Sequence, residues 1–257
     1  MALIAMVIYS TEENKKDQYL EKALASLLRT VDFNANRLMV SVNGYTNETM
    51  AILNRYDHIV EKVIANSGNI GTAEALNFII RERKSREYVV KIDDDIVIHQ
   101  AGWIEIMQEA MEIDNQIGII GLKRKDLIQH PKHPDPQFKS ELILLPHIPG
   151  HRWITLERTA DIMGSCTMFN HRLIDKIGYS RQPGKYGFED NLYCHRSHLA
   201  GFYNCFINNI EIDHVDEGAT KYQGWKEKHS SELFPEYHRL VHAMIAGKES
   251  IYYNPFD

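Results

Sequence analysis

Tyr88-Val-Val-Lys-Ile-Asp-Asp-Asp-Ile96 is the stretch whose reading decides the fold. Tyr88 to Ile92 is rich in β-branched residues and short, as a buried strand should be. It runs straight into three adjacent carboxylates. These repel one another, and Lys91 is the only sequence-adjacent base that relieves them. A strand projects alternate side chains to one side, so Asp93 and Asp95 can face one ligand. A hard divalent cation such as Mn²⁺ or Mg²⁺, bound through oxygen, would resolve the repulsion and could bridge a diphosphate. A solvated acidic turn would look the same in isolation.

The flanking sequence argues against isolation. Leu3 to Tyr9 is a continuous apolar run, and Leu20, Ala23, Leu24, Leu27 and Leu28 follow at helical spacing. Arg37 to Val42 reads as a strand ending in the turn signal Asn43-Gly44. A helix over 46–56 and a strand over 59–64 come next. Asn66-Ser-Gly-Asn-Ile-Gly71 is a loop opening a helix marked by Ala73, Leu76, Ile79 and Ile80. Trp103, Ile106, Met107, Ala110 and Met111 repeat the helical period, and Ile117 to Ile120 returns to strand. Strand and helix in alternation predict an α/β fold with a mostly parallel sheet between helices. Ligands in such sheets bind at the carboxyl ends of the strands, where Asn43 and the Asp run both fall.

The second half is less regular. Residues 123–150 read as a surface excursion, with Lys123, Arg124, Lys125, Lys132, Lys139, His130 and His133. That charge is either a solvated face or a contact for an anionic acceptor. A strand is expected over 162–169, a short helix over 173–177 and a helix over 189–200. A strand over 203–212 follows. A terminal helix is marked by Leu233, Tyr237, Leu240, Val241, Met244 and Ile245, with Pro235 in its first turn. One domain over 1–257 is the simplest organisation, with a nucleotide-binding half to residue 122 and an acceptor-side half beyond it.

Glu189-Asp190 opens a helix, and the macrodipole favours a charged carboxylate there. Asp190 is thus a candidate general base for an acceptor hydroxyl, with Glu189 beside it; plain helix capping is the alternative. His214 follows a strand and is a possible ligand for a Mn²⁺-like metal, although a lone histidine is more often structural. The amides after Asn66 and Gly68 can meet phosphate or sugar oxygens. Asn43 can hydrogen-bond a nucleobase or serve a turn. Lys221, Trp225 and Lys226 can close over a diphosphate or form a surface cluster.

Composition bounds the class. The 257 residues are 44% apolar and 25% charged, with net charge −6, the profile of a globular protein with no overall attraction to nucleic acid. The apolar N-terminus is too short for a signal peptide or a span, and no other stretch approaches the roughly 18 residues a spanning helix needs. Cys166, Cys194 and Cys205 show no paired spacing. A cytoplasmic protein without an integral membrane segment is expected, with peripheral membrane attachment left open.

In order, these segments resemble the GT-A glycosyltransferases, most closely family 2. Leu3–Tyr9 with Ser10-Thr11 is similar to that family's opening nucleotide-binding strand. Asn43 stands where the family usually has an acidic base-reading residue. Asn66 and Gly68 match its Asn-x-Gly loop. Lys91-Ile-Asp-Asp-Asp-Ile96 matches its DxD motif, with Asp93 and Asp95 at the ends and Asp94 between. Tyr186-Gly-Phe-Glu-Asp190 resembles its Glu-Asp helix, and His214 its metal-binding histidine. The resemblance implies metal-dependent, inverting transfer of a sugar from a nucleotide-sugar donor, a UDP-sugar favoured, with Asp190 as base. Ser10, Thr11, Asn43, Asn66, Gly68, Asp93, Asp94, Lys221 and Trp225 are the implied donor contacts, and Asp93, Asp95 and His214 the metal ligands. The acceptor may be read as a glycan, lipid-linked sugar, protein or modified nucleic acid. A nucleotidyltransferase is the runner-up, but the first loop carries Thr11, Glu12 and Glu13 rather than the glycine-rich basic loop that holds a triphosphate. A non-catalytic nucleotide-sugar-binding module is the other alternative.

Overall fold

The structure is a computed structural model and describes residues 1–128, 141–147, 152–216 and 220–257. In chain order the elements are β1 (Ala2–Tyr9), α1 (Asp17–Thr30), β2 (Arg37–Gly44), α2 (Asn47–Arg55), β3 (Val60–Ala65), α3 (Thr72–Ile80), β4 (Tyr88–Asp93) and β5 (Ile96–Ile98). There follow α4 (Trp103–Ile113), β6 (Ile117–Arg124), α5 (Lys125–Ile128), β7 (Glu141–His147), β8 (Arg152–Thr159) and β9 (Cys166–Phe169). The chain ends with α6 (His171–Ile177), α7 (Glu189–Leu199), β10 (Tyr203–His214) and α8 (Thr220–Ile245).

The strands form one sheet in the order β3-β2-β1-β4-β9-β6-β10-β8-β7, with β5 paired to β10. β3, β2, β1 and β4 are parallel neighbours, and β6 and β10 run with them. β9, β8 and β5 run the other way. The expected α/β, mostly parallel sheet is present.

Alternation along β1 explains why helices cover both faces. Ala2, Ile4, Met6 and Ile8 enter one core with Leu20, Leu24 and Leu27 of α1 and Trp103 and Met107 of α4. Leu3 and Ala5 enter the opposite core with Leu76 and Ile79 of α3, Leu173 and Ile177 of α6, and Tyr193 of α7. A strand buried on both sides has to be apolar throughout. The smaller cluster of Leu192, Leu240, Val241 and Met244 seats α8 on α7.

The Asp run closes β4 as expected, and a further strand, β5, follows at once and pairs antiparallel with β10, Ile96 opposite His214. Two expectations need correction. The strand expected over 162–169 is confined to Cys166–Phe169. Pro235 lies inside α8, not in its first turn, because the helix starts at Thr220 in a polar stretch without apolar periodicity. Of the charged excursion, His130, Lys132, His133 and Lys139 lie outside the described residues, as do the side chains of Lys221 and Trp225.

Candidate active site

Asp93 closes β4 with its amide donating to the Ser165 carbonyl at 3.0 Å. Lys91, two residues back on the same side of the strand, is 3% exposed. Its ammonium donates to the Gly164 carbonyl at 2.8 Å and lies 3.3 Å from Asp190 Oδ1, 3.4 Å from Asp93 Oδ1 and 3.8 Å from Glu189 Oε1. One buried cation therefore ties β4 to the start of α7. Burial opposes its charge, but Asp190, Asp93 and Glu189 hold Lys91 well above the usual lysine range.

The entry to α7 is built for that convergence. Gly187 and Phe188 both adopt left-handed backbone, φ 85° and 66°, a conformation disfavoured for a bulky residue. The reversal turns Glu189 and Asp190 inward. Phe188 stacks on Tyr237 of α8, centroids 4.6 Å apart and planes at 14°. Gly164 leaves the space Asp190 needs, since a Cβ there would lie 2.0 Å from Asp190 Oδ2. Glu189 is buried, and burial followed by the Asp190 charge pushes its carboxyl up to about 7.

The other two acids face a different lysine. Lys16, 6% exposed, donates from Nζ to Asp95 Oδ2 at 2.7 Å and also bonds Asp216. His214 Nε2 lies 3.5 Å from the same Asp95 oxygen, because Val215 donates its amide to the Asp95 carbonyl at 2.9 Å. Burial and then the Asp95 charge raise Asp94 well above the carboxylate range, against the pull of Lys16. Asp94 accepts a hydrogen bond from the Tyr9 backbone, which ties the ends of β1 and β4. Burial lowers His214 more than Asp95 raises it, favouring the neutral ring that a metal ligand needs.

Asp95 Oδ1 is buried and has no hydrogen-bond partner among the described residues. An orphaned carboxylate oxygen within crowded acids fits a divalent cation. No group of three or more potential ligands is already gathered among the described residues.

The remaining expected donor residues are mostly engaged within the protein. Ser10 is fully buried, and its Oγ accepts the Asp17 amide at 3.2 Å. Thr11 is bonded into a turn with Asn14. It also lines a cleft of about 390 Å³ with Lys15, Thr46 and Glu48, which includes none of the Asp93–Asp95 carboxylates. Asn43 is buried; its amide donates to Asn69 Oδ1 and the Gly71 carbonyl, and its Oδ1 accepts the Ile70 amide. Here it holds the 66–71 loop. Asn66 donates to Ser41 Oγ at 3.0 Å, and Gly68 faces open space. The first amides of α3 do not stand free as expected: Thr72 donates to the Lys185 carbonyl and Ala73 to Gln182 Oε1. Gly71, at φ 99°, would place a Cβ 3.1 Å from Lys185 Cα, so glycine permits this close packing. Lys123, Arg124 and Lys125 each pair a carboxylate, Glu157, Asp126 and Asp213. This part of the basic run is already neutralised.

Sequence reasoning missed Lys16, Asp216 and Gly164. Asp216 was within reach as the second acid of Asp213-His-Val-Asp216; the other two carry no local signal.

The sequence profile described as glycosyl transferase family 2 matches residues 5–178, and the chain belongs to that family. A search of curated proteins returns no match. The fold is similar to a 1–349 piece of TarS from S. aureus, at TM-score 0.63 and 18% identity, covering 94% of this chain and 64% of that one. The same piece in complex with UDP-GlcNAc gives TM-score 0.60 and 14% identity, covering 86% and 62%. The mannosyltransferase PcManGT from Pyrobaculum calidifontis, in complex with GDP-Man and Mn²⁺, gives TM-score 0.65 and 13% identity, covering 97% and 64%. The chain thus spans somewhat under two thirds of these neighbours. Asp190 and His214 lie beyond the matched residues.

Proposed function

We propose that the chain transfers a sugar from a nucleoside-diphosphate donor, a UDP-sugar in the first instance, to an acceptor hydroxyl with inversion at the anomeric carbon. The observation that carries this reading is the Lys91 ammonium, which holds Asp93 and Asp190 on one centre. A donor against Asp93 and an acceptor hydroxyl against Asp190 would be neighbours. Asp190 takes the hydroxyl proton as the oxygen bonds the anomeric carbon. The bond from that carbon to the diphosphate oxygen breaks on the opposite face, and the nucleoside diphosphate leaves. Glu189, tied to Lys91, keeps the base helix in place.

Asp93, Asp95 and His214 would hold Mn²⁺ or Mg²⁺. When bound, the cation supplies neutralisation of diphosphate charge. Thr11, Asn66 and Gly68 would form the rim of the donor side. Ser10, Asn43 and Asp94 set the positions of the loops beneath it; Lys221 and Trp225, whose side chains lie outside the described residues, are kept as proposed diphosphate contacts. The three cysteines are buried and free, which suits the reducing cytoplasm. No described helix is long and apolar enough to cross a membrane.

Asp190→Asn tests the base. The variant should bind nucleoside diphosphate as the parent does and lose transfer by at least about 10²-fold. Near-parental turnover would remove Asp190 from the role.

A further inference from the structure

Lys16 is a misplaced residue by every local rule. It stands at the N-cap of α1 without a side-chain capping bond, where a carboxylate or hydroxyl is preferred and a positive charge opposes the macrodipole. The preceding Lys15 is held in left-handed backbone, φ 48°. The lysine is nevertheless buried, and its ammonium sits against Asp95 Oδ2 at 2.7 Å and against Asp216. His214 Nε2 approaches the same Asp95 oxygen at 3.5 Å. The other Asp95 oxygen, Oδ1, is buried and has no hydrogen-bond partner among the described residues. A monovalent cation thus fills one side of a carboxylate group that can bind more positive charge.

We propose that Lys16 is the resident cation of the diphosphate-metal pocket, and that a divalent ion enters by displacing its ammonium from Asp95 and Asp216. The inference rests on the metal reading above. Its consequence is specific: the divalent ion competes with a built-in charge, so it binds weakly alone and firmly only with a diphosphate that adds its own oxygens. Lys16 thereby couples metal entry to donor entry. The 11–16 turn, organised by Asn14 Oδ1 accepting the Thr11 amide at 2.8 Å and the Lys16 amide at 3.3 Å, is the segment that has to yield.

The test reads metal binding rather than turnover. Free Mn²⁺ is counted by its paramagnetic resonance signal while the protein, without nucleotide, is titrated. Lys16→Met should bind Mn²⁺ at least tenfold tighter than the parent, and Lys16→Arg, which keeps the charge, should not. In the parent, reductive methylation followed by mass spectrometry should find Lys16 protected without metal and several-fold more reactive at saturating Mn²⁺, with Lys91 protected throughout. This second measurement decides the matter if the Met variant does not fold. Equal Mn²⁺ affinity in parent and Lys16→Met, with Lys16 still protected under saturating Mn²⁺, would overturn the inference and leave the metal reading standing. Absence of Mn²⁺ binding by any form, even with UDP, would overturn both.

Discussion

Asp93, Glu189 and Asp190 come from positions about a hundred residues apart and share one ammonium, that of Lys91. Gly164 makes room for the Asp190 carboxylate. A methyl there would lie within 2.5 Å of all three carboxylate atoms of Asp190. The Asp190 carboxylate is the end of a side chain that can rotate, so Gly164→Ala should fold and move that carboxylate off Lys91. Transfer should fall by about tenfold to a hundredfold, with donor affinity and melting temperature close to the parent's; steady-state kinetics beside a nucleotide titration checks it. The acids were legible in the sequence because like charges in a row are a local anomaly that needs a cause. Their lysine partners were not. Lys91 looked like a neighbour of the Asp run, while its contacts with α7 are long-range. Lys16 lies 79 residues from Asp95, and nothing near it in sequence marks it as buried.

Apolar periodicity found most of the elements because each strand and helix buries a face. It failed where burial is supplied by something else. β5 is three residues long and is defined by its pairing with β10, so no pattern announces it. α8 begins in a polar segment, and its periodicity becomes visible only from Leu233. The junction of α7 and α8 carries the element-scale prediction. Tyr237 stacks on the left-handed Phe188, and its hydroxyl lies 2.9 Å from His195 Nε2. A left-handed bulky residue costs of order 1–3 kcal/mol, and this contact helps offset it. Tyr237→Ala should therefore destabilise the protein by about 2 kcal/mol in urea unfolding. It should also lower transfer, since the turn that aims Asp190 is loosened. Unchanged stability would show that Phe188 keeps its conformation without the stack.

Across the whole molecule, the sheet separates two cores, and Lys16, Asp95, His214 and Asp216 gather at the carboxyl ends of β1, β4 and β10 or just beyond them. The family match ends at residue 178, so Asp190, the proposed base, His214 and Asp216 come from the part of the chain beyond it. That part is secured by Arg196, fully buried on α7, which donates to the Ile251 and Tyr179 carbonyls at 2.7 Å each and to that of Ile177. Arg196→Met should cost at least about 2 kcal/mol and expose the segment after α8 to limited proteolysis before the sheet. Equal cleavage of parent and variant would show that the tail is held by other contacts.

If the Asp93–Asp95 carboxylates bind a nucleoside diphosphate through a divalent cation, calorimetric titration with UDP, then GDP, with and without Mn²⁺, on the parent and on Asp95→Ala will register it. The expected result is binding of one nucleotide class that requires Mn²⁺ in the parent and disappears in the folded variant. Tight binding that is indifferent to both Mn²⁺ and Asp95, or no binding of either nucleotide by the folded parent, would contradict it.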